Sequence, residues 1–521
     1  MIDFSPQFTR AIDMMEKMHK HIFLTGRAGT GKSTLLSYFR EHTKKNVVVL
    51  APTGVAALNV HGQTIHSFCR FKPDITLEKV RKLGDPTDPN NLYARIDTII
   101  IDEISMVRAD LLDCVDTFLR MNTGNPTEPF GGIQMVFIGD LYQLPPVVSS
   151  SEKEIFAEHY ESPYFFSSRV FEKVRIEYIE LEKIYRQKDQ RFIELLNAIR
   201  NNSITDEQIT AINDQFDPAF EPNRDDFFIY LTTTNALAAQ INARELDRLE
   251  EKLFLYQSVT QGNFDERSSP TDHELALKIG SQVMMLNNDS EGRWVNGTIG
   301  KITDIIQDEE SGGDVLLVEL PDGTEEAVFP HTWEMFEFSF DKKEKRLVSD
   351  IVGTFKQYPL KLAWAVTIHK SQGKTFDRVI LDIGRGTFAH GQLYVALSRA
   401  RSLEGIVLKK PIHKKHIFMD WKVVKFVTQF QYDKAVDEFP LLAKVKVLEE
   451  AALSGNVVQI VYLKANGDKS TRVIRPTQIG EMEYHGKTFL GVEAQDTRSG
   501  QPRVFRIDRI LEMQKEEFAN E

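Results

Sequence analysis

The sequence predicts an α/β protein with two parallel-sheet domains, a small β-barrel inserted into the second, and a separate small β domain at the C-terminus. Three observations carry this. Short continuous apolar runs, Ile22–Leu24, Asn46–Leu50, Thr98–Ile101 and Gln134–Ile138, alternate with helical stretches, the pattern of parallel strands buried on both faces. The pattern returns in Phe228–Leu231, Val379–Ile383 and Gly405–Leu408. That second set is interrupted from about Leu246 to Val352, where the turn pairs Asn296-Gly297, Gly312-Gly313 and Asp322-Gly323 separate short alternating segments such as Val315–Leu320.

A chain of 521 residues is too long for one core, so several domains are expected. With 41% hydrophobic and 27% charged residues the composition is that of a globular protein. No window approaches the ~18 continuous apolar residues of a membrane span. The start, Met1-Ile2-Asp3-Phe4, lacks the basic and apolar regions of a secretory leader, so a cytoplasmic protein is expected. Cys69 and Cys114 have no metal-ligand spacing and read as reduced packing residues. The net charge of −12 weighs weakly against nucleic acid, although binding depends on where the charges lie.

Residues 26–34, Gly-Arg-Ala-Gly-Thr-Gly-Lys-Ser-Thr, directly follow the first apolar run. The spacing G-x-x-x-x-G-K-[ST] places Gly26 and Gly31 where the backbone must bend tightly, so that successive N–H groups and a helix N-terminus face phosphates. Ala28, Gly29, Thr30 and Thr34 complete the cradle, Lys32 reaches the β/γ-phosphates, and the Ser33 hydroxyl ligates magnesium. ATP and Mg2+ are therefore the expected ligands. Asp102-Glu103, at the end of Thr98–Ile101, supplies one carboxylate for magnesium, bound through water, and a second to polarise the attacking water. Gln143 ends the third strand and could sense the γ-phosphate. Arg399, within Gln392–Arg401, and Arg186, within Ile184–Gln187, are candidate arginine fingers that need domain closure.

Clusters of hydroxyls and small residues fall at strand ends or loops: Pro52-Thr53-Gly54, Thr64-Ile65-His66-Ser67-Phe68, Thr232 to Asn235 including Thr234, and Thr367 to Gly373 including His369, Lys370 and Ser371. Hydroxyls and loop amides contact phosphates without sequence preference, and His and Phe offer stacking faces, so a single strand of nucleic acid crossing both domains is expected. Taken singly, each cluster also reads as a cap or turn.

The order Gly26–Thr34, Ala51–Ala57, Gly62–Phe68, Ile101–Met106, Gly139–Val147, Tyr185-Arg186-Gln187, Val366–Gly373 and Tyr394–Arg401 resembles the superfamily 1 helicases of the Pif (petite integration frequency) family over roughly residues 1–420. The resemblance implies an ATP-driven monomeric motor moving 5′→3′ on single-stranded DNA, acting on forks and other junctions, RNA–DNA hybrids and guanine quadruplexes. At family level it implies roles in repair, recombination and telomere maintenance, here in a cytoplasmic, nucleoid-associated bacterial protein without a eukaryote-style N-terminal extension. It implies a RecA-like domain over 1–183 with a small wedge at about 65–90, a second RecA-like domain over 184–245 and 353–420, and an SH3-like barrel over 246–352. The roles of Lys32, Ser33, Asp102, Glu103, Gln143, Arg186 and Arg399 carry over, and Gln7 matches the position that reads adenine.

Past a connector over 421–455, Val458–Leu463, Arg472–Pro476, Phe489–Ala494 and Arg503–Ile510 resemble a WYL domain, a small Sm-like β-fold, over 456–521. The eponymous tripeptide reads Thr488-Phe489-Leu490 here. Residues 457–510 carry nine Lys and Arg against six Asp and Glu, so Arg503, Arg506 and Arg509 are candidate nucleic-acid contacts, with salt bridges to local acids such as Asp508 as the alternative. Two other function classes remain: a remodelling or signalling P-loop ATPase that never touches DNA, and a DNA-binding regulator with a decayed motor. Arg399 and the loop clusters disfavour the first, and intact Lys32, Asp102 and Glu103 the second.

Overall fold

The computed structural model describes residues 4–515, apart from 86–87, 89–90, 149–151, 188, 308–312, 342–345, 385, 388, 465–468 and 485. Gly312 of the Gly312-Gly313 turn lies outside the described residues. The chain forms two compact units, one of residues 1–200 and 204–418, the other of 201–203 and 419–521.

In the first unit, six strands form a parallel sheet in the order Gln63–Thr64, Val47–Ala51, Thr98–Ile101, Gln134–Ile138, His21–Gly26, Ile176–Leu181. Val48 to Ala51, Ile99 to Ile101 and Met135 to Ile138 are almost wholly buried, as strands covered on both faces must be. Their carboxyl ends carry Asp102, Gly139-Asp140 and the loop after Gly26, so the chemistry gathers at one edge. The second parallel sheet runs Ala365–Thr367, Ile229–Thr232, Val379–Asp382, Ile406–Leu408. Both domains are RecA-like.

Between the first and second strands of that second domain in sequence, Ile229–Thr232 and Ala365–Thr367, lies the inserted β module. It comprises a five-stranded antiparallel sheet (Glu325–Val328, Asp314–Glu319, Ile299–Gln307, Gln282–Met285, Leu360–Leu362), a two-stranded ladder and a three-stranded sheet. Val283, Met285, Ile302, Leu316 and Val318 form its core. The long strands His331–Asp341 and Arg346–Gln357 form an arm that reaches the first RecA-like domain, where the Phe338 N–H donates to Gln63 Oε1 at 3.4 Å and Arg70 meets Glu337 at 3.0 Å.

The second unit holds a five-stranded antiparallel sheet in the order Pro502–Arg506, Lys487–Asp496, Lys469–Tyr484, Val458–Leu463, Ile510–Lys515. Leu448 and Ala451, from helix Leu441–Ser454, join Ile460, Ile474, Val492 and Phe505 in its core, so part of the stretch read as a connector belongs to the domain's packing. From the same helix the buried Lys444 ammonium donates to the Ile510 carbonyl at 2.7 Å. Among the described residues no helix is long and apolar enough to cross a membrane.

Candidate ATP site and nucleic-acid interface

Strand His21–Gly26 runs into the cradle loop, and helix Lys32–His42 begins as soon as the loop ends. The loop closes because Gly29 and Gly31 take φ of 80° and 86°, where a side chain would be strained. At Gly29 a Cβ would also stand 2.4 Å from that of Arg186, so only glycine lets the loop abut Tyr185-Arg186. The Tyr185 N–H donates to the Gly29 carbonyl at 2.8 Å. Lys32 Nζ donates to the carbonyls of Gly26 at 2.7 Å and Arg27 at 3.1 Å, and the buried Thr30 hydroxyl donates to Arg27 O at 2.9 Å. Burial lowers the proton affinity of Lys32 while Asp140, Glu103 and Asp102 raise it, so the ammonium is held among carboxylates that phosphates would displace in part.

Asp102 and Glu103 stand just beyond strand Thr98–Ile101, with Glu103 at φ 50°, a conformation a non-glycine residue adopts only under constraint. Burial raises the pKa of Asp102, and burial first and the Asp102 charge second raise that of Glu103. A carboxylate with raised proton affinity beside a phosphate cradle suits general-base work on water. Ser33 and Thr34 are exposed on the first helical turn. The Ser33 hydroxyl and the Asp102 carboxylate are hard oxygen donors and fit magnesium. Among the described residues no group of three His, Cys, Asp or Glu gathers into a metal site. Ser33 and Asp102 are the residues that would hold such an ion beside the phosphates. There it would neutralise phosphate charge.

The second domain supplies the far wall. Gly29, Lys32, Ser33, Glu103, Gln143, Arg186 and Arg399 line one cavity of about 1890 Å³, so the residues selected for phosphate chemistry converge. Arg186 donates to the carbonyls of Ser398 at 3.4 Å and Gly373 at 3.1 Å. Arg399 is 1% exposed, its guanidinium bonded to Val395 O at 2.9 Å, Lys374 O at 3.2 Å and Ser398 Oγ at 2.8 Å. Gln143 is buried and donates to Asp140 Oδ2 at 3.2 Å. Gln7 is half-buried on helix Pro6–Lys17 and does not line the cavity, whereas its neighbour Phe8 does.

Several partners escaped the sequence. Gln372 Nε2 donates to Glu103 Oε2 at 3.0 Å, joining the loop of His369 and Lys370 to the carboxylate beside the cradle. Asp140 is buried in an ion pair with Arg200 at 3.3 Å, and the Arg200 guanidinium lies 3.9 Å from the centre of the Tyr142 ring. Tyr394 Oη accepts from the Ala28 N–H at 3.2 Å. Tyr185 lines the cavity with 44% of its surface exposed, and the Lys183 ammonium lies 5.3 Å from the centre of its ring.

The residues selected for nucleic acid divide. Thr53, Thr64 and Thr234 are helix N-caps, accepting from Ala56 at 3.3 Å, Ser67 at 3.1 Å and Leu237 at 3.3 Å, so the cap reading is realised in all three. Pro52 and His66 are half-buried, and burial lowers the pKa of His66. Gly54 packs so tightly under the insert that a Cβ would meet Ser268 Oγ at 2.0 Å. Phe68 corrects the expectation of a stacking face: it is buried edge-to-face on Tyr93 with centroids 5.5 Å apart. Thr232 and Ser371 are likewise buried, their hydroxyls spent on Thr234 O at 3.1 Å and Ile368 O at 2.7 Å, and offer strands nothing directly. Lys370 is exposed and His369 half-buried.

In the second unit Arg506 is paired with Asp508 at 2.6 Å and covers the Phe489 ring at 5.3 Å, so the salt-bridge alternative holds for that residue. Arg503 is exposed and stands 4.0 Å from the Asp496 carboxylate; Arg509 is half-buried.

Two RecA-like domains flanking one cradle loop, with a loop of the second touching Glu103 of the first, define a motor ATPase of the helicase class. Residues 7–210 match the PIF1-like helicases, 362–407 the UvrD-like helicase C-terminal domain, 266–305 the 2B domain of DNA helicase Pif1 and 443–515 the WYL domain. The chain is 32% identical over 441 residues to ATP-dependent DNA helicase Pif1 of Bdellovibrio bacteriovorus, covering 82% of this chain and 93% of that one. It is 35% identical to ATP-dependent DNA helicase PIF1 of Danio rerio over 74% of this chain, spanning 58% of that relative. The crystal structure of Bacteroides sp Pif1 in complex with ADP-AlF4 superposes with a TM-score of 0.75 at 36% identity, covering 83% of this chain and 98% of that one. The chain belongs to the PIF1-like helicase family. It uses ATP to drive a helicase cycle and carries a WYL domain C-terminal to the motor in sequence.

Proposed function

We propose that this ATP-dependent DNA helicase moves 5′→3′ along single-stranded DNA as a monomer and opens forked duplexes, RNA–DNA hybrids and guanine quadruplexes ahead of it. In this reading Lys32, Ser33, Asp102, Glu103, Gln143, Arg186 and Arg399 form the magnesium-dependent hydrolytic site, and His369 and Lys370 face the strand. The domain bounds set out from the sequence serve as the working division. The observation that supports a DNA-coupled motor is the Gln372–Glu103 hydrogen bond of 3.0 Å, because it lets a strand seated on residues 367–373 reposition the group that polarises water. Relatives named as DNA helicases support the substrate class. The test is unwinding of matched duplexes with a 5′ or a 3′ single-stranded tail. The 5′-tailed substrate is expected to open and the 3′-tailed one to stay closed; equal unwinding of both overturns the polarity.

For the WYL domain we propose nucleic-acid binding through Arg503 and Arg509, with Arg506 contributing once released from Asp508. Each phosphate contact on a single strand adds ~0.7 to the log–log salt slope of binding. In the full chain, changing all three arginines to alanine should weaken binding to single-stranded DNA and flatten the slope by up to about 2. An unchanged slope assigns the domain to another ligand.

A further inference from the structure

A third arginine of the second RecA-like domain reaches the first, behind the cavity rather than in it. Helix Gln190–Arg200 packs Phe192, Leu195, Leu196 and Ile199 into the core of the second sheet, beside Leu231, Leu381 and Leu393, so it belongs to that domain. Its last residue, Arg200, crosses to Asp140, just past the end of strand Gln134–Ile138 in the first domain. The Asp140 side chain is wholly buried and that of Arg200 is 7% exposed. Burial opposes the guanidinium charge, and Asp140, first among its neighbours, more than offsets it, so the proton affinity of Arg200 stands above the ordinary arginine value. Neither Arg200 nor Asp140 lines the cavity that holds Lys32 and Gln143.

Asp140 organises the turn that carries Gln143. Its Oδ1 accepts from the Tyr142 N–H at 3.1 Å, its backbone carbonyl from the Gln143 N–H at 2.9 Å, and its Oδ2 from Gln143 Nε2 at 3.2 Å. A carboxylate only accepts, so that last bond decides which way the glutamine amide faces: one N–H is held by Asp140, and the other N–H and Oε1 remain for the cavity that Gln143 lines. The second domain grips the same turn twice. The Arg200 guanidinium lies 3.9 Å from the centre of the Tyr142 ring, and Gly391, at φ 70°, presses so closely that a Cβ would stand 2.3 Å from the Tyr142 carbonyl oxygen and 2.6 Å from that of Gln143. Gly391 caps helix Gln392–Leu397, whose Tyr394 bonds the cradle at Ala28. The Arg200 grip is incomplete. At 3.3 Å its bond to Asp140 is longer than the ~2.7–2.9 Å usual between guanidinium and carboxylate, and its buried Nε–H has no hydrogen-bond partner. Nε and Nη2 form a fork matched to two carboxylate oxygens, so a small advance of helix Gln190–Arg200 would bring the second tine onto Asp140.

We propose that Arg200 is the positioning residue for Gln143: as the second domain closes, its guanidinium engages Asp140 with both tines of the fork, and Asp140 sets the Gln143 amide toward the γ-phosphate. The inference rests on the role given to Gln143 above. Arg200 acts through Asp140 and touches no phosphate itself. It also balances the Asp140 charge, which is felt at Lys32 where phosphates bind. Domain closure then reaches the chemistry by two routes, Arg399 and Arg186 in the cavity and Arg200 behind it.

The test is steady-state ATP turnover of the full chain with saturating oligo-dT, run against ATP concentration, with a thermal melt of each variant. The chains are wild type, R200K, R200Q, Q143A, R200K/Q143A and R200Q/Q143A. Lysine keeps Asp140 paired but supplies neither the fork nor the stack on Tyr142. R200K should therefore melt near wild type, lower kcat by about 10–10²-fold and leave KM for ATP within about threefold. Glutamine leaves Asp140 uncompensated, so R200Q should lower kcat at least as far and raise KM as well. Q143A should lower kcat by a similar factor, and in its background either change at Arg200 should lower it by less than about threefold more, because residues that act through one group are not additive. Losses that multiply in the double variants make Arg200 a brace and overturn the inference while leaving Gln143 its role. R200K with wild-type kcat overturns it too. Wild-type turnover by Q143A would instead remove the role of Gln143, and this inference with it. Should R200Q fail to fold, R200K and its double variant decide the matter alone.

Discussion

Replacing Lys32 by alanine is expected to lower ATP turnover by at least about 10²–10³-fold while leaving single-stranded DNA binding nearly intact. In the structure its ammonium is bonded to two carbonyls of the cradle itself, Gly26 and Arg27, and touches no residue of the loops that would meet DNA. Those bonds park the charge at the mouth of the loop, ready to transfer to the phosphates. Their loss removes a positive charge from a site that also holds Asp102, Glu103 and Asp140, so phosphate binding suffers from the acids left uncompensated as well as from the missing lysine. Phosphate-release assays with saturating single-stranded DNA, set beside DNA binding by anisotropy, check both halves. Turnover within tenfold of wild type would remove Lys32 from the chemistry, and a parallel loss of DNA binding would mean that the cradle and the strand site are one.

How far the site could be read from the chain depends on how local its determinants are. Thr98–Ile101 and Gln134–Ile138 form strands over the residues expected, because an unbroken apolar run bounded by polar residues is a local signal. The cradle is similarly local: six residues and two positive-φ glycines decide it. The contacts that join the domains have no such signature. Ala28 and Tyr394 are 366 residues apart, Glu103 and Gln372 are 269 apart, and Asp140 and Arg200 are 60 apart. Nothing in any of these short stretches announces its partner. Phe68 shows the opposite failure. A Phe beside His66 and Thr64 resembles a stacking platform in one dimension, but helix Ile65–Cys69 turns that ring inward onto Tyr93, and burial of apolar area decides the matter. Arg506 and Asp508, two residues apart, form the pair that adjacent opposite charges allow.

Arg399→Ala should lower DNA-stimulated turnover by about 10³-fold, the low end for an arginine finger, but the structure attaches a second consequence to the same change. The guanidinium is fully buried, and its donors hold the carbonyls of Val395 and Lys374 and the hydroxyl of Ser398, so it also ties helix Gln392–Leu397 to the turn after Gly373. Alanine removes these bonds, although Val395 O keeps the Ser398 hydroxyl as a donor at 3.0 Å, and should lower the melting temperature as well as the rate. Burial first and Arg186 second push its pKa down to about 9, so it is charged at neutral pH and would gain from a developing negative charge in the cavity it lines. Arg399→Lys separates the two roles. Lysine retains the charge but cannot fork across three acceptors; if the variant nevertheless melts near wild type, the bracing bonds are dispensable, and turnover about 10²-fold slower then places the arginine at the transferring phosphate. If both variants lose stability and neither loses turnover per folded molecule, the residue is a brace, and Arg186, whose donors meet the carbonyls of Ser398 and Gly373 from the edge of the same cavity, becomes the finger.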